Sequence, residues 1–129
     1  MIENYMARLP EFLNANAQLV QRGRYLSTTF LLQSGPDPYY ISLREGKIQE
    51  VAIGAQLLKS WTFALKASHD AWLKHWLSYP PPGWQDIFAM KKIGEATVEG
   101  DLYPLMSNLR YIKELVSLPR DMKGEQHGK

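Results

Sequence analysis

The side chains able to carry out acid–base or metal chemistry are few and widely spaced. His69 and His75 lie six residues apart in one predicted helix, so the two imidazoles point to different faces. Metal binding prefers a spacing of three or four residues with further ligands. Ser27 lies in a predicted strand without the sharp turn that exposes a nucleophile. We therefore predict no catalytic residue, no metal and no other cofactor, and an enzyme that uses either histidine is the least favoured hypothesis.

Large apolar side chains form a second group of candidates, whose chemistry is the binding of an apolar molecule. All four tryptophans fall between residues 61 and 84. Tryptophan is large and its N–H needs an acceptor when buried, so this density indicates a large core contact, a pocket wall or both. The candidate ligand-binding residues are Trp61, Phe63, Trp72, Trp76, Trp84, Phe88, Met90, Leu105, Met106, Leu109 and Ile112. The same residue types build ordinary cores, so both interpretations stay open.

The overall composition limits the classes of partner. The formal net charge is +2 over 129 residues, with both signs mixed along the chain, so nucleic acid is not an expected partner. Cysteine is absent, which excludes disulfides and thiolate metal sites. No apolar run approaches the roughly 20 residues that span a bilayer, and the first residues lack a signal-peptide pattern. We expect a soluble, cytoplasmic protein with one domain over 1–118 and a polar tail over 119–129.

The elements that position these candidates begin with helices and then change to strands. An apolar face over 3–13 predicts the first helix, and Asn16 is the predicted N-cap of a short helical turn that Gly23 ends. The hydrophobic period then becomes two, which predicts an antiparallel meander. Its three strands are expected at 24–33, 39–44 and 47–54. The pattern at 55–60 favours neither a helix nor a strand.

The second half of the sequence alternates strands and helices. The expected elements are a strand at 61–67, helices at 68–79 and 84–92, a strand at 93–99 and a helix at about 102–116. Ser68 fits the N-cap of the first of these helices, and the proline run at 80–82 ends it.

The junction between the last predicted strand and helix carries a sharp turn signal. Gly94 and Ala96 give one side of the strand small residues, which lets another element or a ligand approach closely. Gly100 frees the backbone to turn, and Asp101 is the predicted N-cap of the helix. The apolar stripe of that helix either seals a core or covers a cavity.

With the "GEATVEGD" junction, this order of elements resembles the sterol carrier protein domain family. Gly94, Gly100 and Asp101 match the family's pattern of a glycine, five residues, and then Gly-Asp at the end of a strand. The "YYISLREGKI" hairpin and the "FALKASHDAWLKHW" segment match the family's second and third strands and its strand-to-helix step. The resemblance covers about residues 4–116. It implies an α+β fold with a five-stranded, mostly antiparallel sheet, helices packed on one face, and an enclosed apolar tunnel.

What the resemblance implies about function is non-catalytic binding, and transfer, of a hydrophobic ligand. A fatty acyl chain, a sterol-like molecule or another lipid would be the partner, with a membrane surface as a transient partner. The alternative hypothesis is a regulatory or assembly module. Its apolar groove would take a partner protein or a second copy of the chain, as in a homodimer.

Overall fold

A computed structural model describes residues 2–54 and 60–122 of the chain. The helices are α1 (Ile2–Asn14), α2 (Ala17–Arg22), α3 (His69–His75), α4 (Ile87–Lys92), α5 (Tyr103–Ser107) and α6 (Leu109–Ser117). The strands are β1 (Thr28–Ser34), β2 (Asp37–Arg44), β3 (Lys47–Ile53), β4 (Phe63–Ala67) and β5 (Ala96–Gly100).

The strands form one five-stranded mixed sheet in the order β3-β2-β1-β4-β5. β1, β2 and β3 pair antiparallel as a meander, and β4 pairs antiparallel with β5. Only β1 and β4, of the described pairs, run parallel. This confirms the predicted α+β class and the mostly antiparallel five-stranded sheet.

The core lies between one face of the sheet and the helices. Strand side chains alternate between the two faces, and Phe30, Leu32 and Ile41 project from the face that joins the buried cluster. Met6 and Leu9 of α1 belong to the same cluster. The sheet is therefore covered by helices on the face that holds these residues.

Two helix starts follow the sequence as predicted. The Asn16 side chain accepts a hydrogen bond from the Leu19 N–H at 3.1 Å, which caps α2. Ser68 accepts from the Ala71 N–H at 3.0 Å and caps α3. These local caps define the first residues of α2 and α3.

The predicted single helix over 102–116 is wrong in one respect: it is two helices, broken at Asn108. The Asn108 side chain donates to the Pro104 carbonyl at 3.0 Å, and its backbone N–H donates to the Leu105 carbonyl at 3.2 Å. An asparagine side chain that bonds the backbone competes with regular helix. The N-cap position is Leu102, although Asp101 does accept from the Tyr103 N–H at 3.1 Å.

Other element boundaries differ by a few residues. β1 begins at Thr28 rather than 24, because Leu26 N–H donates to the Gly23 carbonyl at 2.9 Å in a turn. β5 begins at Ala96 rather than 93, because Glu95 N–H donates to the Met90 carbonyl at 2.9 Å. α3 ends at His75 rather than 79.

The chain continues past the predicted end of the domain at 118. Residues 119–122 form a further helical turn, and Met122 is fully buried in the core. The first residues of the predicted polar tail therefore pack against the domain. The rest of that tail, and most of the ambiguous stretch at 55–60, lie outside the described residues.

Candidate functional site

The two central tryptophans lie at the heart of the core. Trp72 and Trp76 stack with ring centroids 5.5 Å apart, and neither is exposed. The Trp72 indole N–H donates to the Gln33 carbonyl at 2.9 Å, and that of Trp76 donates to the Val116 carbonyl at 2.7 Å. Buried indoles usually find such acceptors. These bonds fix both rings, so in this conformation they act as core.

The other predicted ligand-binding residues divide by exposure. Fully buried with the two tryptophans are Phe63, Met90, Leu105 and Ile112. Half-buried are Trp61, Trp84, Phe88 and Leu109. Met106 is 53% exposed. The structure therefore brings most of the predicted set into one apolar cluster and leaves Met106 at the surface.

Helix α5 carries apolar side chains on both of its faces. Leu105 points into the core with no exposed surface, whereas Tyr103 is 78% exposed. We call Leu102, Tyr103 and Met106 the α5 patch, since all three are large exposed hydrophobic residues. Contiguous exposed apolar surface marks interaction sites in proteins of this size.

The joint before α5 is held by backbone contacts at Gly100. Gly100 has a positive φ of 93°, and a Cβ there would lie 2.5 Å from the Thr62 carbonyl oxygen and 2.9 Å from the Trp61 ring. The Asp101 N–H donates to the same Thr62 carbonyl at 2.9 Å. Only glycine fits this turn without strain, which is why the chain can pass from β5 into α5 so sharply.

Three basic side chains near the predicted apolar residues have partners. Lys74 Nζ lies 4.5 Å from the centre of the Trp84 ring. Lys113 Nζ lies 3.6 Å from the Asp86 carboxylate, and Arg110 is 3.3 Å from Glu114. These contacts are typical of a solvated surface. They do not by themselves make a site for a ligand head group.

Two surface cavities lie away from the predicted residues. A groove of about 570 Å³ follows the α1–α2 connection, and its lining includes Phe12 and Ala17. A second cavity of about 410 Å³ lies where α1, β2 and α3 meet. It is lined by Ile2, Glu3, Asn4, Asp37, Tyr39, His69 and Leu73. Neither lining contains a residue of the predicted set.

A serine, a histidine and an aspartate are linked at this second cavity. The Ser34 hydroxyl lies 2.6 Å from His69 Nδ1, and His69 Nε2 lies 3.3 Å from the Asp37 carboxylate. Ser34 is fully buried, so its hydroxyl meets no substrate in this conformation. The arrangement pins the start of α3 to the β1–β2 turn. Sequence reasoning missed this link because Ser34 and His69 join across 35 positions of the chain.

His75 is buried at the other end of α3. Its Nδ1 lies 2.9 Å from the Trp84 carbonyl oxygen, and its Nε2 lies 3.3 Å from the Ser117 hydroxyl. Burial lowers the pKa of the His75 imidazole below its ordinary value; the Trp84 bond opposes this shift and nearby Arg120 adds to it. Within the described ranges, no three metal-ligating side chains come together.

Comparison with known proteins gives the fold. No protein-family model matches the sequence, and no curated protein matches it at a significant level. A crystal structure of sterol carrier protein 2 superposes with a TM-score of 0.72 at 13% identity, covering 91% of this chain and 94% of the other. The chain has the sterol carrier protein 2 fold.

Two further solved structures share that fold. A conserved hypothetical protein from Thermus thermophilus, described as possibly a sterol carrier protein, matches with a TM-score of 0.64 at 10% identity, covering 91% of this chain and 87% of the other. The UbiJ-SCP2 ubiquinone synthesis protein matches with a TM-score of 0.58 at 16% identity, covering 91% and 88%. The predicted resemblance to sterol carrier protein domains is therefore confirmed at the level of the fold.

Within the sterol carrier protein 2 fold of this chain, sequence reasoning misses two residues of the α5 patch. The periodicity assigns Leu102 to the apolar stripe of the predicted last helix and does not single out Tyr103. Leu102, Leu105 and Met106 have the i, i+3, i+4 spacing of one helix face, so the pattern carries no sign that Leu102 and Met106 are exposed. None of the described helices is long and apolar enough to cross a membrane.

Proposed function

We propose that this chain binds a hydrophobic small molecule of the lipid class, without catalysis, and that α5 is the cover of the binding site. The fold supports the first part, since it matches a sterol carrier protein 2 structure over 91% of the chain. The observation that carries the second part is the pair of apolar faces on α5. Leu105 of α5 is fully buried, whereas Tyr103 and Met106 of the same helix are exposed to solvent.

The proposed cover moves as a unit between Gly100 and Asn108. Gly100, with its positive φ, precedes the helix, and the break at Asn108 separates it from α6. Such short, glycine-hinged segments absorb the backbone changes of a lid. Lifting α5 would withdraw Leu105 from a cluster that also contains Phe63 and Ile112. An apolar chain would then take the place of Leu105 in this cluster.

The driving force is the removal of apolar surface from water. A bound acyl chain gains roughly 25 cal/mol for each Å² of apolar area that it buries. The α5 patch gains in the same way, because it can cover the ligand instead of facing water. No hydrogen-bonding group is required: among the described residues, no buried side-chain nitrogen or oxygen lacks a partner. The proposed ligand therefore keeps its polar head at the surface and buries its apolar part.

The test is a titration with a fluorescent fatty acid. We expect Met106→Lys to weaken binding about tenfold, since a charge at the apolar mouth costs on the order of 1–2 kcal/mol. Ile93→Lys is the matched control. Ile93 is also an exposed aliphatic residue, at 47%, but it precedes β5 whereas α5 follows that strand. Equal affinity of the two variants would contradict an α5 cover.

A protein partner or a second copy of the chain is the rival occupant of the α5 patch. Light scattering on a size-exclusion column distinguishes a dimer or a protein complex from a ligand-binding monomer by its mass. A monomer that binds the fatty acid supports the proposal. A dimer that Met106→Lys dissociates, with no fatty acid bound, supports the assembly module.

Transfer of a lipid would also require transient contact with a membrane surface. Exchange of the fluorescent fatty acid between protein and vesicles measures that step directly. A rate that rises with vesicle concentration indicates transfer by collision, whereas a constant rate indicates release into water first.

A further inference from the structure

A second polar cluster in the core has no part in the proposed binding. His75 ends α3 and is fully buried. Because a carbonyl oxygen only accepts, the contact of His75 Nδ1 with the Trp84 carbonyl places the ring proton on Nδ1. Nε2 is then the unprotonated nitrogen, next to the Ser117 hydroxyl at 3.3 Å. The neutral imidazole is thus bonded to the segment before α4. On the side of α6 it lies beside a hydroxyl that donates to the Lys113 carbonyl at 2.8 Å.

Arg120 completes this cluster from the last helical turn. Its Nε–H donates to the His75 carbonyl at 3.2 Å, and its Nη2 donates to the Gln85 carbonyl at 3.4 Å. The same Nη2 lies 3.3 Å from His75 Nδ1. The guanidinium therefore holds residues 119–122 against the end of α3, where Met122 is buried.

The charged groups near the imidazole have other partners as well. Burial lowers the pKa of His75, and the Asp86 carboxylate opposes that shift in part. The same carboxylate caps α4 through the Phe88 and Ala89 N–H groups and pairs with Lys113 at 3.6 Å. Lys74, the preceding residue of α3, faces the Trp84 ring. Asp121 lies next to Arg120 in the chain and acts on the guanidinium.

Protonation of the His75 imidazole weakens its contact with Arg120 more than its other contacts. A second positive charge 3.3 Å from the guanidinium is unfavourable, because the imidazole is fully buried and Arg120 is half-buried. The Ser117 hydroxyl, which donates to the Lys113 carbonyl, can accept a bond from a protonated Nε2, so that side of the ring is bonded in the charged form. Repulsion is therefore directed toward residues 119–122 rather than toward α6.

We propose that His75 and Arg120 form an acid-sensitive clasp: protonation of the imidazole repels the guanidinium, releases the helical turn 119–122 and exposes Met122. At neutral pH the clasp is closed, because burial keeps the imidazole neutral. The clasp concerns how the fold opens, and it operates with or without a ligand.

Because burial lowers the pKa of the His75 imidazole, the clasp is tested by hydrogen exchange read by mass spectrometry at about pH 7.5 and about pH 4, corrected for intrinsic rates. We expect amides of residues 117–122 to exchange about tenfold faster at the lower pH while those of β1 and β4 keep their protection. His75→Asn keeps a donor near the Trp84 carbonyl but takes up no proton, so its protection should not change with pH. Arg120→Gln should exchange fast at both pH values. His69→Asn is the control for a half-exposed histidine and should behave like the wild type.

Two hydrogen-exchange results would overturn the proposal. One is protection at 117–122 that falls to the same extent in the wild type and in His75→Asn. The other is a wild-type loss of protection shared by β1 and β4, which would mean global unfolding.

An NMR titration of the wild-type imidazoles is a second test, and it needs no variant. The His75 ring must titrate together with the amide shifts of Arg120 and Asp121, and separate midpoints would also reject the clasp.

Discussion

The indole N–H of Trp76 donates to the backbone carbonyl of Val116 at 2.7 Å, which ties the end of α3 to α6. Forty residues separate the two partners, and both are buried. Tyr5 of α1 packs edge-on against the same indole at 5.4 Å. One side chain therefore links three helices, so its loss should be felt across the domain.

Trp76→Phe should lower the free energy of unfolding by about 2–3 kcal/mol. The substitution leaves the Val116 carbonyl without its donor and reduces the volume of the core. Trp84→Phe is the control, because Trp84 is half-buried, and it should cost less than about 1 kcal/mol. Urea unfolding followed by far-UV circular dichroism measures both. An equal decrease in the free energy of unfolding for the two variants would mean that the Trp76 N–H bond does not stabilise the fold measurably.

Gly100→Ala should destabilise the protein by about 3 kcal/mol. Its φ of 93° is unfavourable for alanine, and the new Cβ would lie 2.5 Å from the Thr62 carbonyl oxygen. Gly94→Ala is a matched control, since Gly94 has a similar φ of 80° but open space around the position of a Cβ. It should cost only the backbone strain, about 1 kcal/mol. A thermal melt that ranks the two variants equally would rule out a close approach at Gly100.

The sequence predicts the elements of this fold where the signal is local. Asn16 and Ser68 cap helices within four residues of themselves, and both caps are confirmed. The break at Asn108 is not predicted, because the apolar stripe runs through it and the side-chain bond to Pro104 leaves no mark on that pattern. The register of β1 beside β4 depends on pairing across the chain, which periodicity does not encode.

The candidate site is less predictable than the fold, for a physical reason. Trp76 and Met106 are both apolar residues in predicted helices, yet one is fully buried and the other 53% exposed. Apolar side chains line cores and pockets alike, so residue type does not separate the two. The Ser34–His69 contact is also hidden, since each residue looks ordinary in its own segment.

Tyr111→Phe should cost about 1–3 kcal/mol. The Tyr111 hydroxyl is buried and donates to the Gly46 carbonyl at 2.7 Å, and its removal leaves that carbonyl unpaired. Tyr103→Phe, at a residue that is 78% exposed, should change the stability by less than about 0.5 kcal/mol. Chemical denaturation at neutral pH separates the two. A neutral effect of Tyr111→Phe would show that the carbonyl finds another donor.

Because the Tyr111 phenol is buried, we also expect the free energy of unfolding to fall at alkaline pH. Burial raises the pKa of its phenol above the ordinary value of about 10. Its contribution is therefore fully present below about pH 10 and is lost as pH rises toward the folded-state pKa, because only the unfolded chain ionises readily there. The wild type should lose stability above about pH 10 more steeply than Tyr111→Phe. Parallel pH profiles would show that Tyr111 has no such shift.

A fluorophosphonate probe should not label the native protein. Ser34 has the neighbours of an activated nucleophile, His69 and Asp37, but its hydroxyl is buried. Intact-mass analysis after incubation with the probe measures this, with a serine hydrolase as the positive control. Labelling that disappears in Ser34→Ala would instead reveal a reactive serine and would contradict a non-catalytic role.

Lipid binding beneath α5 can be tested by native mass spectrometry of the freshly purified protein, followed by extraction and identification of the bound molecules. We expect a near-stoichiometric hydrophobic molecule that is retained by the wild type and by Ile93→Lys and largely lost from Met106→Lys. Removing it by extraction should leave a protein that binds added fatty acid again. A wild-type protein that is empty, and that also fails to bind acyl chains and ring lipids, would show that the chain is not a lipid-binding protein.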